Sequence, residues 1–156
     1  MAKNIKLTAT LPNGEVITRT TARTYTHVVV YTISEAKAMA AAWTPEIERQ
    51  ERKNFSYYSH CATGQHEHTR PRADAPQWEI NNAATYRKQA QYIIDGFPTV
   101  EAFLADRKAK SEGQARKQID AGWHIAGWCG RPDLASKLAS GGCHYAAGEI
   151  KIIEVN

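Results

Sequence analysis

The sequence predicts an α+β fold, with an antiparallel or mixed sheet of about four strands (three N-terminal, one C-terminal) packed with helices. Three observations carry this. The first thirty-odd residues read as sheet, the stretch from Glu35 to Lys117 is rich in helix formers and helix start signals, and Glu149–Val155 returns to a strand pattern. At 156 residues, 42% apolar and 23% charged, the chain suits a single domain over residues 1–156 with a sizeable core.

Ile5, Leu7, Ala9 and Leu11 alternate with Lys6, Thr8 and Thr10, the period of a half-buried strand. Asn13-Gly14 then predicts a two-residue hairpin turn, because both central positions of a type I′ turn take positive φ. Such a turn closes with Pro12 opposite Glu15 and places Leu11 opposite Val16, Ala9 opposite Thr18 and Leu7 opposite Thr20. The second strand runs to about Thr20. Tyr25–Ile33, YTHVVVYTI, is apolar on both faces and holds no Gly, Pro or formal charge, so it reads as an interior strand.

Ser34 caps a helix over Glu35–Trp43, and Thr44-Pro45-Glu46 is a second start signal for a helix reaching about Tyr58. Residues 59–76 lack periodicity and read as a long loop, a kind of segment that is often functional. A helix follows over Gln77–Ile94, with Trp78, Tyr86, Ile93 and Ile94 as its packing anchors, until Asp95-Gly96-Phe97-Pro98 stops it. Thr99 caps another that continues through the basic residues 107–117, with Gly113 as its weak point. Ala121–Cys129 is apolar with tryptophans at 123 and 128, Pro132 starts a short helix through Ala139, and Gly141-Gly142 ends it.

No apolar run approaches bilayer length and the N-terminal residues lack a signal-peptide core, so the expectation is a cytoplasmic protein without a membrane partner. Cys61, Cys129 and Cys143, odd in number and widely spaced, fit reduced thiols. The net charge of +4 is compatible with an anionic partner.

The sharpest constellation is His60-Cys61 with His66 and His68. Thiolate and imidazole suit zinc, and Cys129, Cys143 or His144 could complete a tetrahedral site, although the spacing matches no zinc finger and a polar surface loop is the simpler reading. Any of the three thiols could act as a nucleophile with a histidine supplied by the fold, but no local feature activates one. His27 within the central strand is more simply a hydrogen-bonded core residue than an acid or base. Arg107, Lys108, Lys110, Arg116 and Lys117 could meet the phosphates of a nucleic acid or line a partner surface, with Arg19, Arg23 and Tyr25 adding to it. A solvated helix face is the plainer alternative. Phosphate-loop, dinucleotide-turn and nucleophile-elbow motifs are all missing, which argues against P-loop hydrolysis and Rossmann chemistry. Any of the four tryptophans could belong to the core or anchor an interface.

Two stretches, RTYTHVVVY (Arg23–Tyr31) and GWCGRPDLASKLA (Gly127–Ala139), resemble segments of small accessory proteins encoded by bacteriophages. The resemblance implies a host-interaction or counter-defence role in the host cytoplasm, exerted by binding protein or nucleic acid, and carries over no catalytic residue. The expected function is therefore a non-enzymatic interaction protein. A zinc-binding module or zinc-dependent enzyme using the 60–68 cluster, and a nucleic-acid binder using residues 107–117, are the alternatives.

Overall fold

The computed structural model describes Asn4–Asn156. In chain order it forms β1 (Ile5–Thr10), β2 (Val16–Thr21), β3 (His27–Ile33), α1 (Glu35–Ala42) and α2 (Pro45–Ala62). A 3₁₀ turn (Glu67–Thr69) follows, then α3 (Gln77–Gly96), α4 (Val100–Asp120), β4 (His124–Cys129), α5 (Pro132–Gly141) and β5 (Ala147–Glu154). The α+β class with antiparallel pairing holds. No helix among the described residues is long and apolar enough to cross a membrane. The chain divides into two compact units, one drawn from Met1–Ala41 and Gln114–Asn156, the other being Ala42–Gly113.

The first unit is organised on β3, which lies between β4 and β5 in a three-stranded antiparallel sheet. Val28, Val29 and Val30 are fully buried because both faces of the strand are covered. Val28 and Val30 pack with Ala9 and Leu11 of the β1–β2 hairpin, with Trp123, Trp128 and Ile153 around them. Val29 packs on the other face with Cys129 and with Ala135 and Leu138 of α5. Burying each valine is worth roughly 1.5–3 kcal/mol, so this triplet anchors the layer. The hairpin is a separate two-stranded sheet. Thr8 and Asn156 tie it to the end of β5 through two reciprocal backbone hydrogen bonds of 3.0 and 2.9 Å.

Three local expectations are corrected. The hairpin register is one residue off, with Ala9 opposite Ile17 and Leu7 opposite Arg19. Pro12 has no N–H to give to a closing pair, so it takes the first position of the three-residue loop, the second of the four-residue turn that Leu11 opens, where its fixed φ is favourable. Gly14 supplies the positive φ (86°), its N–H donating to Leu11 O, and the Leu11 N–H donates to Glu15 O. Second, there are five strands in two sheets rather than about four in one, because His124–Cys129 is a strand. Its pairing slips between Val29 and Val30, which breaks the alternation that would have marked it. Third, α2 runs past Tyr58 to Ala62, so His60 and Cys61 are helical rather than in a loop.

The second unit is built on Phe103 of α4, which is fully buried. Phe55, Phe97 and Tyr58 surround it at ring distances of 5.3, 5.4 and 6.3 Å. Thr44 caps α2 as expected, its Oγ1 accepting from the Ile47 N–H at 3.3 Å. α3 lies along α2. It buries little beyond Ala83 and Ala90, which stand two turns apart on one face.

Candidate functional site

The end of α2 decides where the cluster residues go. α2 continues through Ala62 although Asn54–Cys61 are mostly weak helix formers, so packing rather than propensity carries its last turns. There the chain reverses at Gly64 (φ 71°), whose N–H donates to Cys61 O at 3.1 Å. The positive φ is what requires glycine here; the Arg87 guanidinium, 3.0 Å from where a Cβ would stand, is the mobile end of a long side chain and could give way. The N–H groups of Gln65 and His66 both donate to His60 O, which turns the chain back along α2. His66 opens the 3₁₀ turn, its Nδ1 accepting from the His68 N–H at 3.3 Å. Buried Thr69 pins the turn by donating its hydroxyl to His66 O at 2.8 Å.

This geometry sends the four candidate ligands to different places. His60 is exposed at a cleft of about 600 Å³ that also involves Arg52, Ser56, Ser59, Thr63 and Gln65. Cys61 is buried and borders a different, smaller cleft with Tyr57 and Tyr86. His66 and His68 stay together, their rings stacked at 4.9 Å. Among the described residues no three His, Cys, Asp or Glu side chains converge to hold a metal ion. Cys129, Cys143 and His144 belong to the first unit.

The residues that do come together are aromatic. Tyr57 of α2 meets the His66 ring edge-on at 4.7 Å. Across the helix pair, Tyr86 of α3 borders two adjoining hollows. One, of about 190 Å³, includes Tyr57, Cys61 and Ile93. The other, of about 260 Å³, includes His68, Pro71 and Trp78. Trp78 is 65% exposed, Tyr86 52% and Tyr57 37%. Hydrogen bonding to Cys61, aided by burial, raises the pKa of the Tyr57 phenol. A strip of large rings therefore lies open along the seam of α2, the 3₁₀ turn and α3. Sequence reasoning pointed at this loop for its histidines, passed over Tyr57, and took Trp78 and Tyr86 as packing anchors of the 77–94 helix, whereas both rings lie largely exposed. The spacing of Tyr57 and Tyr86 in two separate helices gives no sign that they meet.

The basic segment is divided. Arg107 lies over the Phe103 ring at 4.9 Å and reaches Glu51 at 3.8 Å. Lys108 pairs with Glu112 at 3.9 Å and Lys110 with Asp106 at 2.7 Å. Arg116 and Lys117 are exposed on the part of α4 that belongs to the first unit. His27 is half-buried and its Nδ1 is hydrogen-bonded to the Thr26 hydroxyl at 2.7 Å, as a strand histidine would be. No family model matches the chain, and no curated protein or solved structure matches it.

Proposed function

We propose that this is a non-enzymatic binding protein that seats a protein partner on the Tyr57–Tyr86–Trp78 strip. The observation that carries the reading is the joint exposure of these three rings along one seam. Tryptophan and tyrosine are the residues that most often dominate binding energy at protein interfaces, since each covers a large area with few rotamers to freeze. The second unit that bears the strip carries ten basic and ten acidic residues, so its balance of charge favours neither sign of partner. The resemblance to bacteriophage accessory proteins directs the search toward bacterial defence and regulatory proteins, with inhibition as the outcome of binding.

The test is affinity capture from bacterial lysate with the intact chain, followed by titration of the captured protein in purified form. Trp78→Ala and Tyr86→Ala should each weaken binding by about 2 kcal/mol or more, roughly thirtyfold, with folding unchanged by circular dichroism. A purified partner that binds both variants as tightly as the parent would exclude the strip. Native mass spectrometry of the same preparation separates this reading from the zinc one. A zinc-sized mass excess lost on mutating His66 and His68 would move the site to the 3₁₀ turn.

A further inference from the structure

The net charge of the chain is not evenly shared. Met1–Ala41 and Gln114–Asn156 together hold ten basic and six acidic residues, whereas Ala42–Gly113 holds ten of each, so the whole +4 belongs to the first unit. Within that unit Arg131 pairs with Asp133 at 3.2 Å and Lys151 with Glu149 at 3.0 Å. Arg19 and Arg23, both exposed, have no carboxylate within 4 Å among the described residues. Arg19 instead lies across two rings, 4.7 Å from the centre of Tyr25 and 5.9 Å from that of Trp128. These rings meet edge-on at 6.4 Å.

Register explains the placement. The three-residue turn sets Arg19 opposite Leu7, on the hairpin face that turns toward the sheet. A long side chain starting there extends over the rim of the core, where Tyr25 and Trp128 are half-buried. The two rings hold the guanidinium carbon over Tyr25 and beside Trp128, and a guanidinium held by its π contacts still has N–H donors to offer an acceptor. Arg23 follows in the exposed connection between β2 and β3, its backbone fixed by an N–H bond to Thr21 Oγ1 at 3.0 Å.

We propose that Arg19, Arg23, Tyr25 and Trp128 form a binding site for single-stranded nucleic acid. The arginine edges meet phosphates, and an unpaired base stacks on the outer face of the guanidinium held by Tyr25 and Trp128. A duplex satisfies the charge but hides its base faces, which is why the stacked arginine favours the single strand. The site differs from residues 107–110, where each cation already has an acidic neighbour. It does not depend on the aromatic strip of the second unit.

The experiment is fluorescence anisotropy of the full chain with a labelled oligothymidylate of about twenty nucleotides, titrated between roughly 50 and 300 mM salt. Binding should weaken steeply with salt. Arg19→Gln combined with Arg23→Gln should reduce affinity at least about tenfold and make the log–log salt slope shallower by roughly 1.4, the value for two lost phosphate contacts. An abasic strand of the same length and a duplex should each bind about tenfold more weakly or worse, because neither offers an unpaired base. Arg116→Gln with Lys117→Gln, and Trp78→Ala, should bind as the parent does. The single change Arg23→Glu, in an exposed connection, tests the same site should the double variant fold poorly. It should cut affinity by at least about tenfold. The proposal is overturned by any of three results: no binding by the parent, parental affinity in Arg23→Glu, or equal affinity for the abasic strand.

Discussion

The three cysteines show how far a residue type alone determines behaviour. Cys61 and Cys129 are buried, at 2% and 8% exposure. Half-buried Cys143 lies 3.6 Å from Leu138 O, and burial pushes its thiol pKa up. Burial keeps reagents from Cys61 and Cys129, and Cys143 must ionise to react, so all three should be labelled slowly by a maleimide or aromatic disulfide at neutral pH. The rate at Cys143 should keep rising beyond the ordinary thiol range near ~8.5, because its thiolate forms late. Full labelling should appear only on unfolding. Rapid modification of one cysteine in the folded chain, with a plateau below neutrality, would contradict this and reopen thiol catalysis. At this scale the sequence was informative about chemistry and silent about direction. His60 and Cys61 are neighbours in the chain, but successive helical residues point about 100° apart, so they open on different clefts. Pro12 could have been read correctly, since its missing N–H argues against the two-residue turn that Asn13-Gly14 suggests.

Elements with strong periodic or capping signals were legible. Thr44-Pro45 starts α2 and YTHVVVYTI supplies the interior strand, because local chemistry and tertiary burial agree there. β4 was not legible. Its sequence HIAGWC includes a glycine that sits beneath Leu138, whose Cδ2 lies 2.9 Å from where a Cβ would stand. That contact makes the residue small for a reason found only in α5. Gly113 is a contrasting case. It lies inside α4 with nothing within 4 Å of an added Cβ and without positive φ. Gly113→Ala should therefore stabilise the chain by about 0.5–1 kcal/mol, chiefly by restricting the unfolded backbone. A rise in melting temperature of roughly 2–3 °C would register it. A fall would contradict the open surroundings and ordinary helical backbone of Gly113.

For the whole molecule, the candidate surfaces separate by unit. The second carries the open aromatic strip, and the first carries the entire excess of positive charge. Neither surface is a motif, which is why the sequence supplied a fold class more readily than a site. Each arises from side chains that distant elements bring together, such as Arg19 with Trp128, or Tyr57 with Tyr86. The order of strands in the first unit has a further consequence, for synthesis. His27 of β3 pairs with Glu154 of β5, and β4 joins the same strand from residue 124 onward. Until those residues have been translated, VVVY has neither neighbour, and at about 5–20 residues per second this nascent segment waits several seconds or more. An unpaired, uncharged, β-branched run is the kind that self-associates. A chain cut after Tyr145, lacking β5, should accumulate in the pellet when expressed, whereas the full chain remains in solution. Should the shortened chain stay monomeric by light scattering, the hairpin and helices would have to shield β3 before its last partner is made.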